Sequence, residues 1–349
     1  MNEEAGLNRI DGMRPDGPGF GALAVGVRTL ELVHAGRKDV LRGGVRDRRL
    51  TVEYWYPAVA GGGAEYRTLL RDGRRAVVLR GRAGRGAEAL AGDYPLVILS
   101  HGFPGNRILM SHFGEFLASH GYRVASIDHE ESTYGDAAYL GGKAFPSTLV
   151  NRAADTGFVA GELGGDYAII GYSMGGYGAL VAGGARLSQT ARDWAAGEGF
   201  DLPLPEVPAR LKAILPIGPW GRQRDLWDAS GMAELAVPMF LMAGSEDHVS
   251  DYPSMRRIWA EARGERHLLT FQGAGHNAAA PIPAPSEAWE RTEGLSFVPF
   301  EHYADAIWDT LRMNNIAQGF ALWFLDRHLK GLAAEAPAVP LGVTLEHGQ

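Results

Sequence analysis

A serine hydroxyl attacks a carbonyl only beside a base that takes its proton, and a histidine base works best when a carboxylate fixes its tautomer. The chain carries one ordered set of such residues. Ser173 lies in Gly171-Tyr172-Ser173-Met174-Gly175, the Gly-x-Ser-x-Gly pattern of a nucleophile on a sharp strand-to-helix turn. The flanking glycines keep Cβ atoms off the adjoining strand and helix. In a chain with 48 glycines the pentapeptide by itself is weak, and its setting carries the reading. The apolar run Asp166-Tyr-Ala-Ile-Ile precedes it as a buried strand, and Gly176-Tyr-Gly-Ala-Leu-Val-Ala follows as the start of a small-residue helix.

A serine on such an elbow is followed along the chain by an acid and then by a histidine, each after a later strand. Asp247 leaves the end of the apolar run 237–243 in Gly244-Ser-Glu-Asp247. It is preferred over Glu246 because adjacent turn residues point apart and an aspartate three after the glycine is the usual placement. Of eleven histidines, His276 alone follows the last expected strand, on the glycine loop Phe271-Gln-Gly-Ala-Gly-His276. His248 adjoins the acid, His267 sits at the wrong end of its strand, and His302 and His328 fall in helical patterns. Acyl transfer also needs two N–H donors for the tetrahedral oxygen. Met174, after the nucleophile, supplies one; the loop Ser100-His101-Gly102-Phe103-Pro104-Gly105 should supply the other. Pro104 has no N–H, which makes Phe103 the expected donor.

The expected chemistry is therefore cleavage of carboxylic esters through an acyl-enzyme, with no metal or organic cofactor implied. The same residues suit an amidase or peptidase, which ester and amide substrates would separate. A ligand receptor that keeps such a site and turns over slowly is a further alternative.

The elements that must position these groups are legible as short apolar runs alternating with helix-length segments, the mark of parallel strands buried on both faces. Strands are expected at 95–100, 123–128, 167–170, 213–217, 238–243 and 268–271. Helices are expected at 109–119, 153–163, 174–182, 253–263 and 314–329. Before them, 25–34 and 49–56 read as an antiparallel pair at one edge. The fold class is thus α/β, a mostly parallel, doubly wound sheet with an antiparallel N-terminal edge. A polar arm (1–24), one domain (25–331) and a C-terminal tail (332–349) are expected. Residues 60–93, rich in Gly and Arg, read as a surface excursion with room for a short helix, and two irregular insertions, 184–210 and 277–301, as lid or pocket-wall segments.

Composition agrees with a globular chain: 46% of its residues are hydrophobic and 21% charged. The formal net charge of -7 leaves no basic footprint for nucleic acid, and the absence of cysteine excludes thiolate chemistry and disulfides. With no apolar leader and no membrane-length run, a soluble, cytoplasmic protein is expected; oligomeric state is not legible.

Taken together these residues resemble the α/β-hydrolase superfamily, and within it the predicted dienelactone-hydrolase and platelet-activating-factor-acetylhydrolase-like branch. Val25-Gly-Val-Arg-Thr-Leu, Val52-Glu-Tyr-Trp-Tyr-Pro, Tyr94-Pro-Leu-Val-Ile-Leu-Ser-His-Gly, Gly171-Tyr-Ser-Met-Gly-Gly and Asp326-Arg-His-Leu-Lys-Gly carry the resemblance. True dienelactone hydrolases use a cysteine nucleophile, which this chain lacks. Gly218-Pro219-Trp220 also looks like the Pro-Trp pair of cutinases and polyester hydrolases, where the ring borders the acyl site. The resemblance implies apolar or aromatic esters, small or polymeric, with Trp220 at the acyl site; Phe103 and, from the unusually long 277–301 segment, Trp289 are further candidate substrate contacts. Trp220 could equally be a core anchor, and 277–301 could pack on the last helix instead of walling a pocket.

Overall fold

The computed structural model describes residues 8–13, 17–204 and 206–349. Residues 1–7 and 14–16 of the expected arm, and residue 205 of the first insertion, lie outside the described residues. A long antiparallel pair, β1 (Ala24–Lys38) and β2 (Val45–Ala58), opens the fold. A separate hairpin of β3 (Glu65–Leu69) and β4 (Ala76–Arg80) follows, then the two-residue β5 (Gly84–Arg85). The parallel strands are β6 (Leu96–Ser100), β7 (Arg123–Asp128), β8 (Tyr167–Tyr172), β9 (Leu211–Ile217), β10 (Met239–Gly244) and β11 (Arg266–Phe271). Between them run α1 (Ser111–Ser119), α2 (Tyr134–Leu140), α3 (Phe145–Leu163), α4 (Met174–Ala182), α5 (Gln189–Gly197), α6 (Ala229–Met232) and α7 (Tyr252–Glu261). The last helix, α8 (Thr310–Lys330), leads to β12 (Val343–Gly348).

Ten strands form one sheet in the order β12-β11-β10-β9-β8-β6-β7-β2-β1-β5. Helices cover both faces, and that is why the central strands are continuously apolar. Alternate side chains feed two cores: Val97 and Leu99 of β6 meet Phe113 of α1 and Phe320 of α8, whereas Leu96 and Ile98 meet Leu149 of α3 and Leu180 of α4. Local signals set the helix ends. Asp309 accepts the N–H of Arg312 at the start of α8, and Gly331 closes it at φ 68°.

Three expectations need correction. Residues 60–93 hold no helix; they form β3, β4 and β5, and their hairpin buries Tyr66, Val77 and Leu79. Exposed arginines and glycines between those apolar positions dilute the alternation a strand would show. The C-terminal tail does not stand apart from the domain, because its β12 pairs antiparallel with β11. The β1–β2 pair is not the outermost edge either, since β5 adds a short parallel strand beyond β1. Among the described residues no helix is long and apolar enough to cross a membrane.

Strand order reverses around β6, β8 and β7, and the carboxyl ends of these strands open onto a common crevice. Every residue singled out as chemically competent follows the end of a parallel strand.

Candidate active site

Ser173 follows β8 directly and caps α4 with φ 53° and ψ −111°, a conformation costly for any residue with a Cβ. Close packing dictates its glycine neighbours. A Cβ on Gly171 would lie 2.2 Å from the Gly175 carbonyl oxygen, and one on Gly175 would lie 1.9 Å from that of Ser100. The Ser173 N–H donates to Ile217 O at 2.8 Å, and its carbonyl accepts the Trp220 N–H at 3.2 Å, tying the elbow to the end of β9.

Asp247 leaves β10 in a turn and is 2% exposed. Its Oδ1 accepts the N–H groups of Val249 and Ser250, each at 2.8 Å, and its Oδ2 lies 2.8 Å from His276 Nδ1. His276 Nε2 stands 3.1 Å from Ser173 Oγ. With Asp247 ionised, Nδ1 carries the proton and Nε2 is free to accept the serine's. Glu246 and His248 face solvent beside each other, apart from this chain of contacts.

The backbone of the 100–105 loop runs against the serine: an ideal Cβ on Gly102 would sit 3.3 Å from Ser173 Cβ. Phe103 and Met174 both line the cleft, and neither N–H has an acceptor among the described residues. These are two unused donors beside a serine oxygen.

The cleft has a volume of about 290 Å³. One wall is aromatic, with Phe103 edge-on to Phe145 at 5.5 Å between ring centres and Phe145 edge-on to Trp220 at 5.2 Å. Arg71, Tyr134 and His302 also line it. Burial, reinforced by the charge of Arg71 and by His276, holds His302 down to about 4, so that it is neutral at pH 7.

Of the expected substrate contacts, Phe103 and Trp220 line the cleft and Trp289 does not. Trp289 is 64% exposed and stacks at 3.7 Å on Phe300 of the same insertion, on the outer surface. That insertion packs on the helices, with Asn314 of α8 donating to Pro281 O and Ile282 N–H to Leu109 O. Among the described residues it reaches the cleft through Asn277, and His302 lines the cleft just beyond its end. Among the described residues the 184–210 insertion contributes none to the cleft; Ala191 and Trp194 wall an adjoining apolar pocket beyond Phe145 and Trp220.

Sequence reasoning missed Arg71, on the β3–β4 hairpin loop, and Tyr134, at the start of the short α2, neither of which belongs to a motif, and it set His302 aside as a residue of a helical pattern. It also missed a sealed relay beneath the loop. Ser100 Oγ lies 2.9 Å from His129 Nε2, and His129 Nδ1 lies 2.9 Å from Asp155, which Arg48 grips with two further bonds. These are the residue types of the exposed relay, but Ser100, His129 and Asp155 are at most 1% exposed and no substrate can reach them. Burial holds His129 down to about 3, uncharged.

A family model described as platelet-activating factor acetylhydrolase, isoform II, matches residues 85–144. Among solved structures, a ferulic acid esterase from Streptomyces cinnamoneus superposes with a TM-score of 0.64 at 21% sequence identity, covering 97% of this chain and 99% of that one. No curated protein sequence matches. The chain has the α/β-hydrolase fold, and both comparisons fall among esterases of that fold.

Proposed function

We propose that this protein hydrolyses carboxylic esters, with Ser173 as nucleophile, His276 as general base and Asp247 as the carboxylate that orients it. The observation that carries the reading is the continuous chain from Asp247 Oδ2 to His276 Nδ1 (2.8 Å) and from His276 Nε2 to Ser173 Oγ (3.1 Å) at the floor of a cleft. His276 takes the serine proton as Oγ adds to the ester carbonyl, while the N–H groups of Phe103 and Met174 receive the developing oxyanion. Collapse expels the alcohol, which leaves with the proton from His276. Water activated by the same imidazole then releases the acid and restores Ser173.

The apolar wall of Phe103, Phe145 and Trp220 supports esters whose acyl or alcohol part is apolar or aromatic. The acetylhydrolase model and the esterase neighbour support the same bond type.

The experiment is Ser173→Ala assayed with p-nitrophenyl acetate and butyrate, alongside aryl esters and the matching amides. Loss of turnover with the fold retained is expected, with esters cleaved far faster than amides by the parent chain. Parent-like turnover in Ser173→Ala would sink the assignment.

A further inference from the structure

Behind the cleft, on α3, a guanidinium is buried without an ion pair of its own. Arg152 is 1% exposed, and its stem packs so tightly on α4 that a Cβ on Gly178 would lie 2.4 Å from Arg152 Cγ. Its Nη2 donates to Ser132 Oγ at 2.5 Å and to the Gly102 carbonyl at 3.3 Å, while Nε and Nη1 have no partner among the described residues. Asp155, the carboxylate whose charge acts on it, is already engaged by Arg48 and His129. A buried cation with unused donors is a poor stabilising device. What it does hold is the loop beside Ser173.

The same Gly102 carbonyl lies 2.7 Å from His101 Nδ1. The His129 N–H donates to His101 Nε2 at 3.3 Å, which leaves the proton on Nδ1 to be given to Gly102. Gly102 O is thus held from two sides. The Gly102–Phe103 peptide is trans and planar, so its carbonyl and its N–H point in opposite directions. Fixing the carbonyl towards Arg152 fixes the Phe103 N–H away from it, on the side where Gly102 abuts Ser173. Donors on the carbonyl also polarise the amide and strengthen its N–H as a donor.

We propose that Arg152, assisted by His101, is a positioning residue for the oxyanion site: it anchors and polarises the Gly102–Phe103 peptide so that the Phe103 N–H meets the tetrahedral oxygen. This rests on the ester-hydrolase reading above, with Phe103 as an oxyanion donor.

The test compares the parent with Arg152→Met and Arg152→Lys in three readouts: kcat and KM for p-nitrophenyl butyrate, Ki for an alkyl trifluoromethyl ketone, and thermal melting. The ketone forms a tetrahedral oxyanion on the nucleophile. In Arg152→Met kcat should fall about 10- to 100-fold, less than or near the loss for deleting a donor outright, with KM within about threefold. Ki should rise by a matching factor. A role confined to stability would lower the melting temperature and leave kcat and Ki within twofold, and that outcome in a folded Arg152→Met overturns the inference. Should Arg152→Met not fold, Arg152→Lys decides by the same criterion, because a lysine keeps the charge but its ammonium ends one bond short of the Nη2 position that donates to both Ser132 and Gly102. Parent-like turnover in Ser173→Ala would instead overturn the underlying reading. An inactive Ser173→Ala beside an unaffected Arg152 variant defeats this inference alone.

Discussion

Tyr172, the residue before the serine, donates its hydroxyl to Asn277, the residue after the histidine, at 3.2 Å. Asn277 is itself held by the carbonyls of Glu301 and Ala304, each at 2.8 Å. The strand that leads to Ser173 is thus fastened to the loop that carries His276. Tyr172→Phe should fold normally and lose roughly three- to tenfold in kcat, since one hydrogen bond is worth about 1 kcal/mol. Steady-state kinetics with an unchanged melting temperature would bear this out; an unchanged kcat would show that the fastening is dispensable.

Asp247 divides its carboxylate between the imidazole and its own turn. Asp247→Asn keeps an oxygen for the Val249 and Ser250 N–H groups but turns an amide towards Nδ1. The ring then carries its proton on Nε2 and cannot accept from Ser173. A loss of about 10⁴-fold in kcat with little change in stability is expected, the size seen when a triad carboxylate is neutralised. Retention of more than a tenth of the activity would remove Asp247 from the site.

Ser173 adopts φ 53° and ψ −111°, which only glycine takes without strain. Two inactive variants should therefore differ in stability. Ser173→Gly should be more stable than Ser173→Ala by about 1 kcal/mol in urea unfolding. Equal stabilities would mean that the elbow relaxes once the hydroxyl is gone.

Acid should destabilise this protein through its buried imidazoles already above the ordinary carboxylate range. Burial holds His112 and His129 down to about 3, whereas each takes a proton near 6.5 in the unfolded chain. Their folded values are depressed, so the unfolded state binds more protons below 6.5. Stability is then complete above that pH and declines as pH falls towards 3. Each should cost about 2 kcal/mol between pH 7 and pH 5. Neither ring nitrogen of His112 has a hydrogen-bond partner among the described residues, so His112→Leu removes the penalty without breaking a bond. Urea melts at the two pH values should show a smaller acid loss in that variant; an identical loss would contradict the argument.

The central strands were readable because both faces of β6, β8, β9 and β10 are buried, which turns their sequences into apolar runs. Ser173, Asp247 and His276 were readable because backbone geometry at strand ends restricts which residues fit, as the close contacts of Gly171 and Gly175 show. The rest depends on distance in space. Arg71 and Tyr134 reach the cleft from a hairpin loop and a short helix with no pattern of their own, and nothing near Trp289 announces that it turns outward onto Phe300. Arg152 directly precedes the helix expected at 153–163, and only the fold, in which α3 begins at Phe145, brings its guanidinium under Gly102. Residues 343–348 follow a Pro- and Ala-rich stretch, and their pairing with β11 fixes a strand that local pattern leaves open.

Near Arg71 of the cleft, two stretches 220 positions apart are joined: Thr292 donates to Asp72, and Arg75 donates to Glu290 and to Thr292. Arg71 and His302, which face the cleft, flank this junction on either stretch. Neither loop can be lengthened, shortened or grafted from another enzyme without disturbing its counterpart. Changes of substrate preference on this side of the cleft, whether by natural drift or in the laboratory, should therefore come as paired alterations, and libraries that randomise one stretch alone should yield mostly impaired variants.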